Sequence, residues 1–169
     1  MPIRIAQTVG ITTVSALAGM TFSFSAFVVP RILESPSPLL LRQWNHTFRA
    51  GMSTIAPLAS LSALLFWCLA YKAKNAPNVM PHRWKSYLVT GALAIGILPY
   101  TAGLMLPTNK KLLDKAKETS SLAVDDKLVE VGMGGETAHQ LVDKWATLNL
   151  GRAILLGIAA VLGTWTALE

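Results

Sequence analysis

Four stretches of the chain carry no charged residue: Ile5–Pro30, Ala50–Tyr71, Ser86–Asn109 and Ala153–Leu168. The first three reach the roughly 20 residues with which an α-helix crosses a hydrocarbon core about 30 Å thick. The fourth has 16 residues and falls short, so its helix is expected to begin earlier, near Asp143 or Lys144. That start carries Asn149 and Arg152 to or below the membrane boundary, where a charge is tolerated only against protein, a cavity or a ligand. Trp145, Asn149 and Arg152 follow one another at helical spacings of four and three, which puts them on one stripe.

Punctuation sets the connections. Pro30, Pro36 and Pro38 break the chain after the first apolar run, and a long second helix is expected from Leu39 through Trp44, His46 and Arg49 to Tyr71, with Pro57 as a kink. The third span contains Pro99, which predicts a bend near Tyr100 and Thr101, and it is expected to end at Pro107-Thr108-Asn109. Residues 110–139 mix charges with Gly132, Gly134 and Gly135 and read as an extramembrane loop with a short amphipathic helix. The expectation is therefore an all-α, integral membrane four-helix bundle, a single domain over residues 1–169, with a polar site near one membrane face. The first run exceeds the 7 to 15 apolar residues of a signal peptide and is read as a retained helix.

Composition agrees: 52% of residues are hydrophobic and 14% charged, against about 25% charged in soluble domains. The net charge of +6 flanks the spans without forming a basic stripe interleaved with aromatics, so nucleic acid is not an expected partner, and the lipid bilayer is. Arg4, Lys72, Lys74, Arg83 and Lys85 fall on one side, while Arg31, Arg42, Arg49 and the positives from Lys110 onward fall on the other. Both faces are basic, which leaves the orientation open. Cys68 stands alone and forms no internal disulfide.

Alternating helix direction brings the start of the second helix, the end of the third and the start of the fourth to one membrane face. Asn45, His46 and Arg49 beside Trp44 and Phe48, then Thr108 and Asn109, then Trp145, Asn149 and Arg152 would meet there, with Tyr100 and Thr101 extending the site inward.

The same residues carry a resemblance. Gln43-Trp44-Asn45-His46-Thr47-Phe48-Arg49-Ala50-Gly51, Pro99-Tyr100-Thr101, Pro107-Thr108-Asn109 with Lys111 and Leu112, and Leu141-Val142-Asp143-Lys144-Trp145 with Leu148-Asn149 and Arg152 together resemble the fungal anthrone oxygenase family. Its best signal is Pro-Thr-Asn followed by Trp-x3-Asn-x2-Arg. The resemblance implies oxidation of an anthrone methylene by molecular oxygen to an anthraquinone and water, without flavin or haem, in an endomembrane of a polyketide-producing cell. A small aromatic polyketide is then the expected substrate.

Set against that chemistry, His46 is the expected base. Arg49 and Arg152 would stabilise the anthrolate and reduced oxygen, and Asn149 and Asn109 would orient the carbonyl. Trp44 and Trp145 would stack on a flat tricycle, with Tyr100 and Thr101 as further substrate contacts. Each residue has a plainer rival role: interfacial hydrogen bonding for His46, snorkelling for Arg49, helix association for Asn149, a lipid-interface belt for the tryptophans and a helix cap for Asn109. No cofactor beyond oxygen is expected. The alternative is iron or copper held by His46, His139 and Asp143. A non-catalytic membrane assembly or carrier protein is the competing function, and a homo-oligomer would complete a small cavity.

Overall fold

A computed structural model describes residues 2–76, 82–120 and 135–169 of the chain. Four helices long and apolar enough to cross a membrane account for nearly all of them: α1 (Ile3–Ile32), α2 (Ser37–Lys74), α3 (Arg83–Glu118) and α4 (Ala138–Leu168). No strand occurs among the described residues. Each helix packs mainly on its neighbours in sequence, and α4 closes the ring on α1. The chain is thus a multi-pass, all-α bundle, as its charge-free runs predict.

Lipid supplies no hydrogen bonds, so every main-chain group in a span must be satisfied within its own helix, while association between helices rests on packing and interhelical bonds. The core accordingly stacks in three layers. Val14, Ala63, Phe66, Leu69 and Tyr87 fill the end holding the N-terminus. Leu17, Ile55, Ala59, Ile97 and Leu156 fill the middle. Trp44, Leu41, Met105, Leu112, Leu141 and Trp145 fill the opposite end. Close approach at the first layer depends on missing side chains: the Phe66 ring lies 3.2 Å from where a Cβ would stand on either Gly10 or Gly163.

Two boundaries differ from the sequence expectation. Helix α4 begins at Ala138, about a turn and a half before Asp143. Thr137 caps it, its hydroxyl accepting from the Gln140 amide at 3.2 Å while the Gln140 side chain accepts from the Thr137 amide at 3.0 Å. Such a reciprocal cap is worth about 1 kcal/mol. Helix α3 does not stop at Asn109. Pro107 sits in the first turn of a helical segment, where its missing N–H costs little, and the helix continues to Glu118. The amphipathic helix expected after the span is therefore the projecting end of α3 itself. The glycines at 132 and 134 lie outside the described residues.

Two widened turns interrupt the spans. A π-turn occupies Phe24–Val28 in α1, and a second occupies Thr101–Met105 in α3, just beyond Pro99. Proline removes an amide donor from the i→i−4 ladder, and the helix bends and loosens there. The consequence for packing is large. Helix α2 packs closely along Arg83–Ile95 but meets the second half of α3 only sparsely, because α3 swings away from it and stays on α4.

Candidate functional site

The divergence of α2 and α3 leaves a cavity of about 690 Å³, within the range of small-molecule sites. From α2 it is lined by Thr47, Phe48, Gly51, Met52, Ile55 and Ala56, and from α1 by Phe24. The bent half of α3 gives Thr101, Asn109 and a continuing stripe to Lys117, and α4 forms the back wall with Trp145, Asn149 and Arg152. Ile55 and Ile97 are fully buried at the floor, whereas Met52 and Leu106 at the rim are 60% and 59% exposed. Lys110, Asp114 and Lys117, at spacings of four and three, make the outer end charged, with Lys117 4.0 Å from Asp114.

The wall is mostly apolar, but four of its polar atoms are buried without a hydrogen bond from any described residue: Asn109 Oδ1, Trp145 Nε1, Asn149 Oδ1 and Arg152 Nε. An unmade bond on a buried polar group costs about 1 to 3 kcal/mol. Two acceptors and two donors left open around one hollow are the geometry of a ligand site.

Neighbouring contacts hold these groups in place. Asn149 donates to the Thr21 carbonyl at 2.8 Å and to Ser25 Oγ at 2.9 Å, and Ser25 donates to the Ala146 carbonyl at 2.8 Å. The π-turn in α1 presents this hydroxyl to α4. Tyr100 does not line the cavity. Its hydroxyl donates to the Leu148 carbonyl at 2.9 Å and occupies the space a side chain on Gly151 would need, clasping the bent half of α3 to α4 one residue before Arg152. Thr101 lines the wall and spends its hydroxyl on Ile97 O at 2.6 Å. Outside the spans, Glu136 bridges Lys111 at 2.5 Å and Lys144 at 3.3 Å. Hydrogen bonds from Lys111 first and Lys144 second hold its carboxyl below the ordinary carboxylate value.

The sequence-expected residues divide accordingly. Asn109, Trp145, Asn149, Arg152 and Thr101 come together on the cavity wall. His46 and Arg49 do not; both are exposed. The inward face of α2 runs through Trp44, Thr47, Phe48 and Gly51, and residues 46 and 49 fall off that stripe. Arg49 instead donates to Asn45 at 3.1 Å. Trp44 is fully buried behind the wall, stacked on Phe48 at 5.1 Å and edge-on to Trp145 at 6.1 Å. Its expected place against a ligand is taken by Phe48. His139 faces the Ser35 carbonyl at 3.1 Å, and no group of three His, Cys, Asp or Glu side chains among the described residues is placed to hold a metal. Ser25, Thr21 and the Lys110–Asp114–Lys117 stripe escaped the sequence reading. The one available signal was the regular helical spacing of the stripe with Asn109.

Comparison with known proteins agrees with this geometry. No solved structure matches the chain. It is 29% identical over 163 residues to anthrone oxygenase AgnL2 of Paecilomyces divaricatus, covering 94% of this chain and 93% of that one. An anthrone oxygenase of Claviceps purpurea is 30% identical over 151 residues, 87% of this chain and 79% of its own. Noranthrone monooxygenase of Aspergillus flavus is 26% identical over 157 residues, 92% of this chain and 70% of its own. The anthrone oxygenase family matches residues 44–162, a span that includes every polar wall residue named above, and the chain therefore belongs to that family of membrane oxygenases.

Proposed function

We propose that this oxygenase converts an anthrone to an anthraquinone within the cavity between α2 and α3. The observation that carries the reading is the convergence of four unpartnered buried polar atoms on one largely apolar hollow. A flat tricycle has an apolar face and a few edge oxygens. It would lie against Phe48 and place those oxygens between Asn109, Trp145, Asn149 and Arg152.

Removal of one methylene proton from an anthrone gives an aromatic anion whose charge rests largely on the carbonyl oxygen. Arg152 stabilises that oxygen from a wall where water is scarce and fixed charge is strong. The lining offers one carboxylate, Asp114, at the charged outer end, and this group takes the proton in place of His46, which lies off the cavity. The anion gives one electron to molecular oxygen, and the carbon radical and superoxide combine to a hydroperoxide. Loss of water then makes the second carbonyl. Both methylene hydrogens leave carbon, one oxygen atom enters the quinone and the other departs as water, so oxygen is the only oxidant required.

The test is to supply emodin anthrone under air to purified protein in lipid and follow quinone absorbance with oxygen uptake against the spontaneous rate. One oxygen consumed per quinone, at a rate proportional to protein and unaffected by chelation, is the expected result. A rate no higher than the protein-free control would reject the reading.

A further inference from the structure

The amide of Asn149 admits one orientation. Its nitrogen faces the Thr21 carbonyl and Ser25 Oγ. A main-chain carbonyl only accepts, and the Ser25 proton is already given to Ala146 O, so both neighbours demand a donor. The two amide N–H groups are consumed there. Oδ1 is left as a pure acceptor on the cavity wall, on a residue with no exposed surface and with no hydrogen bond from any described residue. Arg152, on the same stripe, is a pure donor. A ligand carbonyl or ether oxygen satisfies Arg152 and can give nothing to Asn149, whose complement is an O–H.

We infer that Asn149 makes the cavity selective for phenolic anthrones, accepting a hydrogen bond from a free hydroxyl on the ring beside the reacting carbon. The inference rests on the anthrone reading above and adds to it the substituent that decides which anthrones bind. A tricycle without that hydroxyl dries the cavity and leaves Oδ1 unmet. The loss corresponds to roughly 10- to 100-fold in affinity.

The experiment titrates the purified protein, in phosphatidylcholine nanodiscs and without oxygen, with a peri-dihydroxyanthrone, its dimethyl ether and unsubstituted anthrone, reading tryptophan fluorescence. The dihydroxy compound is expected to bind roughly 10- to 100-fold tighter than both others, and Asn149→Leu to erase the difference. Since Asn149→Leu also removes two bonds to α1, the ranking of the three ligands by the parent protein decides the matter if that variant fails to fold. Equal affinity of the parent for the hydroxylated and bare compounds overturns the inference, as does a preference that survives in folded Asn149→Leu. Admitting air then separates the two readings. Quinone formed from equally bound ligands leaves the oxidation standing and rejects selection by Asn149, whereas a tightly bound dihydroxyanthrone that is never oxidised rejects the oxidation and keeps the selection.

Discussion

The two ends of the bundle solve the same problem in opposite ways. At the end bearing the N-terminus, each polar side chain drawn inside finds a protein partner: Gln7 donates to Tyr87 Oη at 2.6 Å, Trp67 to Leu88 O at 3.2 Å, Arg83 to Thr166 O at 3.1 Å, and Thr166 to its own helix. Helices α2 and α3 are in contact throughout this half. At the other end the helices part, and Asn109, Trp145, Asn149 and Arg152 each keep a buried atom without such a partner. The closed half shows that this fold can satisfy its polar groups. The open half therefore marks where satisfaction is reserved for a guest.

The largest break in this contrast is expected from Arg152→Ala, which removes the fixed positive charge from the cavity. Quinone formation should fall by about 10²- to 10³-fold in kcat/KM with insertion into membranes unchanged, while His46→Ala, off the wall, stays close to the parent. A drop of equal size in both would restore His46 as the base.

Gly151→Ala is next. Its methyl group would overlap the Tyr100 ring and hydroxyl, and overpacking of this kind costs about 1 to 3 kcal/mol. Thermal unfolding should show that loss together with lowered activity, because the clasp between α3 and α4 sets the cavity wall. Gly157→Ala, with open space at its Cβ, should change neither.

Gln7→Leu sharpens the comparison from the closed side. It strands the Tyr87 hydroxyl and should reduce stability by about 1 kcal/mol or slightly more, with activity per folded molecule retained.

The smallest effect is expected from Glu136→Gln at the junction of α3 and α4. The carboxyl of Glu136 is depressed below its unfolded value of 4.5, so the stabilisation is fully present above that value and is lost as pH falls through the lower folded one. Melting temperatures of the two proteins should differ slightly at neutral pH, converge in acid and converge again at high salt.

The helices were legible because charge is excluded from lipid: the four neutral runs, the bend at Pro99 and the depth of Arg152 all follow from residue type alone. The membership of the cavity was only partly legible. Asn149 and Arg152 stood out as polar groups inside a span, but His46 and Arg49 share their segment's polarity without sharing its inward face. Which face a helix turns inward depends on its neighbours, and here on where α3 swings clear of α2. Ser25 and Thr21 were invisible for a related reason: a hydroxyl or carbonyl inside an apolar run reaches across to α4 only because the turn at Phe24–Val28 is widened.

A widened turn carries one residue more than an ordinary helical one. Removing any single residue between Thr101 and Met105 would restore a regular helix and rotate everything after it by about 100°. Asn109, Lys110 and Asp114 would leave the cavity together, with no change in hydropathy or in the residues themselves. The catalytic geometry of this chain is thus a matter of counting: a one-codon deletion in an otherwise tolerant lipid-facing segment is expected to silence the enzyme more thoroughly than many substitutions around it.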